Sequence, residues 1–204
     1  MKDKDRSTPP QNFALMAACF EGSLAVVAVA LGWLLGRAPL ETLNWAWSDV
    51  AWGMAAVLPP LGLLWLCVKS PWRPLAEIIR VIDEILVPLF QNCGPVEFAM
   101  IAALAGLGEE LLFRGVIQTT VAAWVDGDFG VWVGLATAGV LFGLAHAVTF
   151  TYVLLAGLIG LYLGGIWLAT GNLLVPMIAH TGYDFVALWY LVKIRKRQAS
   201  QAPA

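Results

Sequence analysis

The sequence is poor in charge and poorer in histidine. Asp, Glu, Lys and Arg make up 13% of its 204 residues, hydrophobic residues make up 60%, and there are two histidines. Ordinary soluble domains carry about 25% charged residues, so a soluble globular class is excluded; a mean hydropathy of +0.77 points to a polytopic membrane protein. The net charge is -2, and the absence of a basic stripe excludes nucleic acid as a partner. Cys19, Cys67 and Cys93 stand far apart with no CxxC pair, which supports neither a disulfide framework nor a zinc knuckle. They read as small apolar fillers. No internal repeat stands out, and no His-Glu-x-x-His is present.

What is there is a series of apolar runs. A crossing takes about 20 residues, and six stretches qualify: 13–35, 50–68, 96–124, 131–148, 152–170 and 173–192. The fold class is therefore all-α, a membrane helical bundle of about six spans. A polar tail (1–12) precedes one membrane domain (13–192), and a basic tail (193–204) follows it. Ala28-Val29-Ala30 imitates a signal-peptidase site, but the apolar run passes through it, so the first span reads as an anchor. Glu21, inside that span, reads as a snorkelling side chain or the partner of another polar group. Pro59-Pro60 predicts a kink in the second span. Between the second and third spans, residues 75–90 place Ile78, Ile79, Ile82, Leu86 and Leu89 opposite Glu77, Arg80, Asp83 and Glu84, an amphipathic helix suited to a membrane surface or the end of the bundle. In the fifth span, Gly160-x-x-x-Gly164 allows close approach of two helices.

Lys2, Lys4, Arg6, Lys69, Arg73, Arg80, Lys193, Arg195, Lys196 and Arg197 fall on one face of this topology, and Arg37 alone on the other. The positive-inside rule then puts both termini in the cytoplasm. Trp45, Trp47, Trp52, Trp124, Trp132 and Trp167 form an outer aromatic belt, and Trp65, Trp72, Trp189, Tyr152 and Tyr190 an inner one.

Three apolar spans carry the polar residues that demand a reason. Gly108-Glu109-Glu110-Leu111-Leu112-Phe113-Arg114-Gly115 holds three charges. On a helix Glu110 and Arg114 share a face, whereas Glu109 points about 100 degrees away. Glu110 with Arg114 suits a structural ion pair. Glu109 shares its face with Ala102, Ala105 and Gly106, small side chains that leave room for a helix or a substrate. An isolated carboxylate in an apolar setting is a better base than one in water, which suits proton abstraction near neutral pH. His146 has Phe142 at i-4 and Gly139 and Gly143 on its face; it is either a functional imidazole or one that bonds a carbonyl and packs. His180 and Asp184 are four apart, so the carboxylate can set the imidazole's tautomer, as a site pair or as a self-satisfied pair near a helix end. Two His and two carboxylates, Glu109, His146, His180 and Asp184, are also a feasible zinc set.

Taken in order, Glu-Glu-x-x-x-Arg at Glu109–Arg114, Phe-x-x-x-His at Phe142–His146 and His-x-x-x-Asp at His180–Asp184 resemble the CAAX protease and bacteriocin-processing family of intramembrane proteases, also called the Abi family. The resemblance spans roughly Phe98 to Tyr190. Its last motif ends in Asp184, where the eukaryotic prenyl-protein proteases have Asn and many bacterial relatives Asp. The resemblance implies glutamate-dependent hydrolysis of a peptide bond without metal or other cofactor, in a membrane-associated or lipidated protein or peptide. It implies an integral protein of the bacterial inner membrane. Glu109 with His146 would activate a water, His180 and Asp184 would serve the oxyanion, and Glu110, Arg114 and Phe142 would support the site. A proton-coupled transporter using the same carboxylates as a relay, and a non-catalytic scaffold or immunity protein of this fold, are the alternatives.

Depth poses a difficulty. At about 1.5 Å per residue, Glu109 falls near mid-membrane, His146 near the cytoplasmic end and His180 nearer the outer end. Upright, straight spans would hold them apart, so either the spans tilt and break, at Gly106-Leu107-Gly108 and Pro176, or the span boundaries shift by a turn.

Overall fold

The computed structural model describes residues 12–125 and 127–195. The Lys2, Lys4 and Arg6 of the N-terminal tail, Asp126, and the Lys196 and Arg197 of the C-terminal tail lie outside the described residues. Among the described residues the secondary structure is helical throughout, with no strand.

Helix α1 (Phe13–Leu34) is followed by α2 (Trp47–Ala55) and α3 (Leu58–Lys69), then by α4 (Arg73–Val81), which continues through a π-helical stretch, Ile82–Leu86, into the short α5 (Val87–Phe90). Helix α6 (Pro95–Glu110) runs without a break into a π-helical stretch, Leu111–Gln118, and on to α7 (Thr119–Trp124). The hairpin of α8 (Phe129–Ala145) and α9 (Phe150–Thr170) precedes α10 (Leu174–Trp189), which ends in a third π-helical stretch, Tyr190–Arg195. Phe13–Leu34, Trp47–Lys69 and Phe150–Thr170 are long and apolar enough to cross a membrane, and Phe129–Ala145 is a shorter apolar helix. Only 11% of the most apolar window of α1 is buried inside the protein. A helix that apolar and that exposed is in its proper solvent when surrounded by lipid. The chain is an integral membrane protein.

Prolines and glycines set the local geometry. Pro59 and Pro60 occupy the first turn of α3, where no backbone N–H is needed. The break therefore comes upstream, at Ala56-Val57, and the expected kink is a helix boundary. Pro176 likewise sits in the first turn of α10, and α6 passes through Gly106-Leu107-Gly108 as regular helix, so neither expected break is present. These glycines admit neighbours instead. A Cβ at Gly106 would stand 2.3 Å from Thr181 Oγ1 of α10, and one at Gly108 would stand 2.5 Å from the backbone oxygen of Glu21 on α1. Gly143 and Gly139 of α8 give similar access to α9, and Gly160 meets Phe142 and Gly139 from the other side. The glycine spacing in the fifth span thus does bring two backbones together.

The amphipathic expectation for residues 75–90 holds. Leu75, Ile78, Ile79, Val87 and Phe90 are buried, while Arg80 pairs with Glu77 and Glu84 on an exposed face, where such pairs contribute little. The C-terminal boundary extends further than expected, because helix continues to Arg195. Lys193 Nζ donates to the Gln91 oxygen at 2.8 Å, and Arg195 pairs with Asp83, so the beginning of the basic tail is docked against the amphipathic segment. At the opposite end α9 stops at Gly171, whose φ of +63° is the left-handed cap conformation. Asn172 then donates to Asp49 Oδ2 at 2.7 Å and to the Asn44 oxygen at 2.6 Å. Trp45, Trp47, Trp52, Trp124 and Trp132 are exposed, as are Trp65 and Trp72. Two members of the expected inner belt turn inward. Trp189 packs edge-on against Phe98, and Tyr152 lines an internal cavity.

Candidate active site

The convergence of the three motifs follows from hairpin register. Gly127, in the turn between α7 and α8, stands 18 residues after Glu109 and 19 before His146. Two antiparallel helices of nearly equal length joined there must hold those residues level. The long stretch from Pro95 to Trp124 also runs parallel to α9: Arg114 Nη2 donates to the Gly160 oxygen at 2.6 Å, and one turn on Gln118 Nε2 donates to the Gly164 oxygen at 3.4 Å. These two rungs come from the π-helical stretch, a geometry found at functional sites.

Around Glu110 the site is ion-paired and closed to the cavity, with both partners on Oε1 and the buried Oε2 without a hydrogen-bond partner among the described residues. Arg114 and Glu110 are both completely buried, with Nη1 to Oε1 at 3.1 Å. The guanidinium carbon lies 4.9 Å from the centre of the Phe142 ring, a cation–π contact. The same Glu110 Oε1 accepts from His180 Nδ1 at 2.8 Å, and His180 Nε2 faces Asp184 Oδ2 at 3.4 Å. The expected Glu110–Arg114 pair and His180–Asp184 contact are both present, and the His180–Glu110 contact joins them into a chain Arg114–Glu110–His180–Asp184. Glu110, at the shorter distance, sets the ring orientation.

Around Glu109 the site is open. His146 caps the end of α8 and its Nδ1–H donates to the Phe142 oxygen at 2.8 Å. That bond leaves Nε2 as the free nitrogen, and it faces Glu109 Oε2 at 3.9 Å. The separation is too long for a hydrogen bond, and Glu109 Oε2 has no hydrogen-bond partner among the described residues, although Glu109 is only 8% exposed. Phe142 joins the two halves: its ring stacks on His146 at 4.6 Å and meets His180 edge-on at 5.8 Å. Glu109, His146, His180 and Asp184 all border one cavity of about 550 Å³, whose other walls are largely apolar side chains of α3, α4, α9 and α10, including Cys67, Ile78 and Ile79. The four residues of the feasible zinc set therefore meet at one cavity, but His180 has carboxylates at both nitrogens, and no group of three or more His, Cys, Asp or Glu among the described residues is arranged to hold a metal ion.

Glu-Glu-x-x-x-Arg, Phe-x-x-x-His and His-x-x-x-Asp thus close on a single apolar chamber, and the comparison with known families falls on the same stretch. Residues 92–186 match the family model described as Rce1-like, type II CAAX prenyl endopeptidase. The matched segment belongs to the CAAX protease family. The similarity covers a little under half of the chain, the part that carries all three motifs. No curated protein and no solved structure matches the chain.

Sequence reasoning missed three contributors. Gln118, 1% exposed, follows Arg114 at the same four-residue interval by which Arg114 follows Glu110, and that spacing was its available signal. Tyr152, six residues after His146, has its ring 6.4 Å from the imidazole and was read as an interfacial aromatic. Glu21 borders the cavity, and its Oε2 is buried with no hydrogen-bond partner among the described residues. A lone acid in an uncharged span was the only mark it left in the sequence.

Proposed function

We propose that the protein is an intramembrane endopeptidase that hydrolyses a peptide bond in a membrane-associated or lipidated protein or peptide, using its own side chains at the wall of the central cavity. One observation carries the reading: Glu109 Oε2 and His146 Nε2 face each other at 3.9 Å, each with a free lone pair. Two acceptors held at that distance suit one bridging water. Glu109 takes a proton from the water, the oxygen attacks the carbonyl carbon, and the negative charge moves to the carbonyl oxygen. His180 Nε2–H, held only loosely by Asp184 at 3.4 Å, is the donor available to that oxyanion. Return of the proton from Glu109 to the amide nitrogen lets the C–N bond break, leaving a carboxylic acid and an amine. Glu110 and Arg114 hold His180, and Phe142 holds the two imidazoles at their angle. The apolar walls suit a substrate delivered from lipid, and the name of the matched family, a prenyl endopeptidase, makes a lipidated C-terminal peptide one such substrate. The excess of Lys and Arg at the end of the bundle that carries Lys69, Arg73, Lys193 and Arg195 supports cytoplasmic termini, in a bacterial inner membrane.

The test compares wild type with Glu109→Gln in proteoliposomes, using fluorescence-quenched peptides with and without a prenyl group and mass spectrometry of membrane fractions. Loss of the base lowers turnover by about 10²- to 10⁴-fold with the fold intact. Undiminished cleavage by a folded Glu109→Gln protein sinks the reading, and pH-driven flux without any cleavage would favour a proton-coupled transporter.

A further inference from the structure

The cavity contains a carboxylate that the hydrolysis does not use. Glu21 sits on α1 one helix away from the catalytic stretch, and its place is set by backbone contact: α1 rests on Gly108 so closely that a Cβ there would meet the Glu21 oxygen at 2.5 Å. Glu21 thereby borders the same cavity as Glu109, Asp184, His180 and His146. The cavity wall therefore carries three carboxylates, Glu21, Glu109 and Asp184, and among the described residues that line it there is no Lys or Arg. His180 is occupied by Glu110 and Asp184.

Acidic residues alone would not define a site. Two further observations point to a ligand: Glu109, 8% exposed, presents an unpartnered Oε2 to the cavity, and the buried Oε2 of Glu21 is also without a hydrogen-bond partner among the described residues. An unpartnered carboxylate out of contact with water is destabilised until a donor arrives.

We propose that Glu21 determines specificity by receiving a cationic side chain, Lys or Arg, next to the bond that is cleaved. The proposal rests on reading the cavity as a peptide site, and it separates two kinds of substrate. A C-terminal C-a-a-X peptide brings a free carboxylate close to its scissile bond, where the cavity lining offers three carboxyl groups and no Lys or Arg to pair with it. An internal segment with a basic residue brings the complementary charge. Charge complementarity of this kind selects between partners of similar shape.

The experiment measures binding, so that it does not depend on turnover. Dansylated apolar peptides of about 20 residues, in which a single Lys, norleucine or Glu is walked through each position, are titrated against the full-length protein in detergent micelles. For at least one position wild type binds in the order Lys, norleucine, Glu, with about tenfold or more between Lys and norleucine, as a charge-assisted hydrogen bond gives. Glu21→Gln brings that ratio close to one, and Glu21→Lys inverts the order. Absence of a Lys preference at every position in wild type, which needs no variant, overturns the proposal. So does a preference that persists in Glu21→Gln. If Lys selectivity is present while wild type cleaves none of the peptides, the peptidase reading fails and Glu21 stands as a recognition residue. If cleavage depends on Glu109 but shows no Lys preference, the peptidase reading stands and the role of Glu21 fails.

Discussion

The two adjacent glutamates of one helix have opposite surroundings. Glu110 is bonded by Arg114 and His180 and sealed from solvent. Glu109, one residue earlier, faces an imidazole beyond hydrogen-bond distance and borders the cavity. Neighbours on a helix point about 100 degrees apart, which is enough to place one carboxylate in the packing between α6, α9 and α10 and the other in the chamber. The difference separates holding from reacting. A carboxylate held by Arg114 and His180 fixes geometry, whereas one that borders the cavity without such partners can accept a proton.

The largest effect expected from this contrast is on stability. Removing one member of a buried ion pair leaves the other without compensation, so Arg114→Met should cost about 3–5 kcal/mol, read as a fall in the denaturation midpoint in detergent. The double variant Glu110→Gln/Arg114→Met should recover part of that loss, because it removes the stranded charge along with its partner. Full additivity of the two single variants would show that the pair is not a unit. Glu109→Gln is the opposing case. It deletes an unpartnered charge and is expected to leave the midpoint unchanged or raised while turnover falls. A midpoint that falls as far as in Arg114→Met would erase the contrast between the two glutamates.

A smaller effect lies in the helix contact that positions both regions. Gly106→Ala forces a methyl group against Thr181 Oγ1 and towards the Met177 oxygen. Overpacking of this kind costs about 1–3 kcal/mol and displaces α10, which carries His180. The midpoint should drop modestly, and turnover should drop more than a mere loss of folded protein explains. Equal proportional losses would mean that α6 and α10 contribute stability at this point but not alignment.

How much of this was legible in the sequence depended on where each residue's partner came from. Glu110 and Arg114 are four apart on one helix, as are His180 and Asp184, and spacing sufficed to predict both contacts. The helical bundle was visible because apolar runs of membrane length have few other uses. The levelling of Glu109 with His146 was present in the numbering as two nearly equal distances from Gly127, but counting depth from the span boundaries obscured it. Contacts made to backbone carried no signature. Arg114 ends on the Gly160 oxygen and α1 is seated by Gly108 against the Glu21 oxygen, and any residue type supplies a carbonyl. The place of Glu21 at the cavity is illegible for the same reason, since nothing on its own helix reveals that α1 turns it towards the cavity.

The finest distinction within the open half concerns Asp184. At 3.4 Å from Nε2 it is a weaker constraint on His180 than Glu110 at 2.8 Å on Nδ1. If Glu110 sets the ring orientation, replacing Asp184 with the neutral Asn should preserve that orientation and alter only the charge beside the donor. Asp184→Asn is then expected to change turnover by less than about tenfold, whereas His180→Ala, which removes the oxyanion donor, lowers it by about 10²- to 10³-fold. Comparing kcat of the two variants at equal folded fraction checks the order. Should Asp184→Asn be as damaging as His180→Ala, the weight would move from Glu110 to Asp184, and the ion-paired half of the site would be architecture alone.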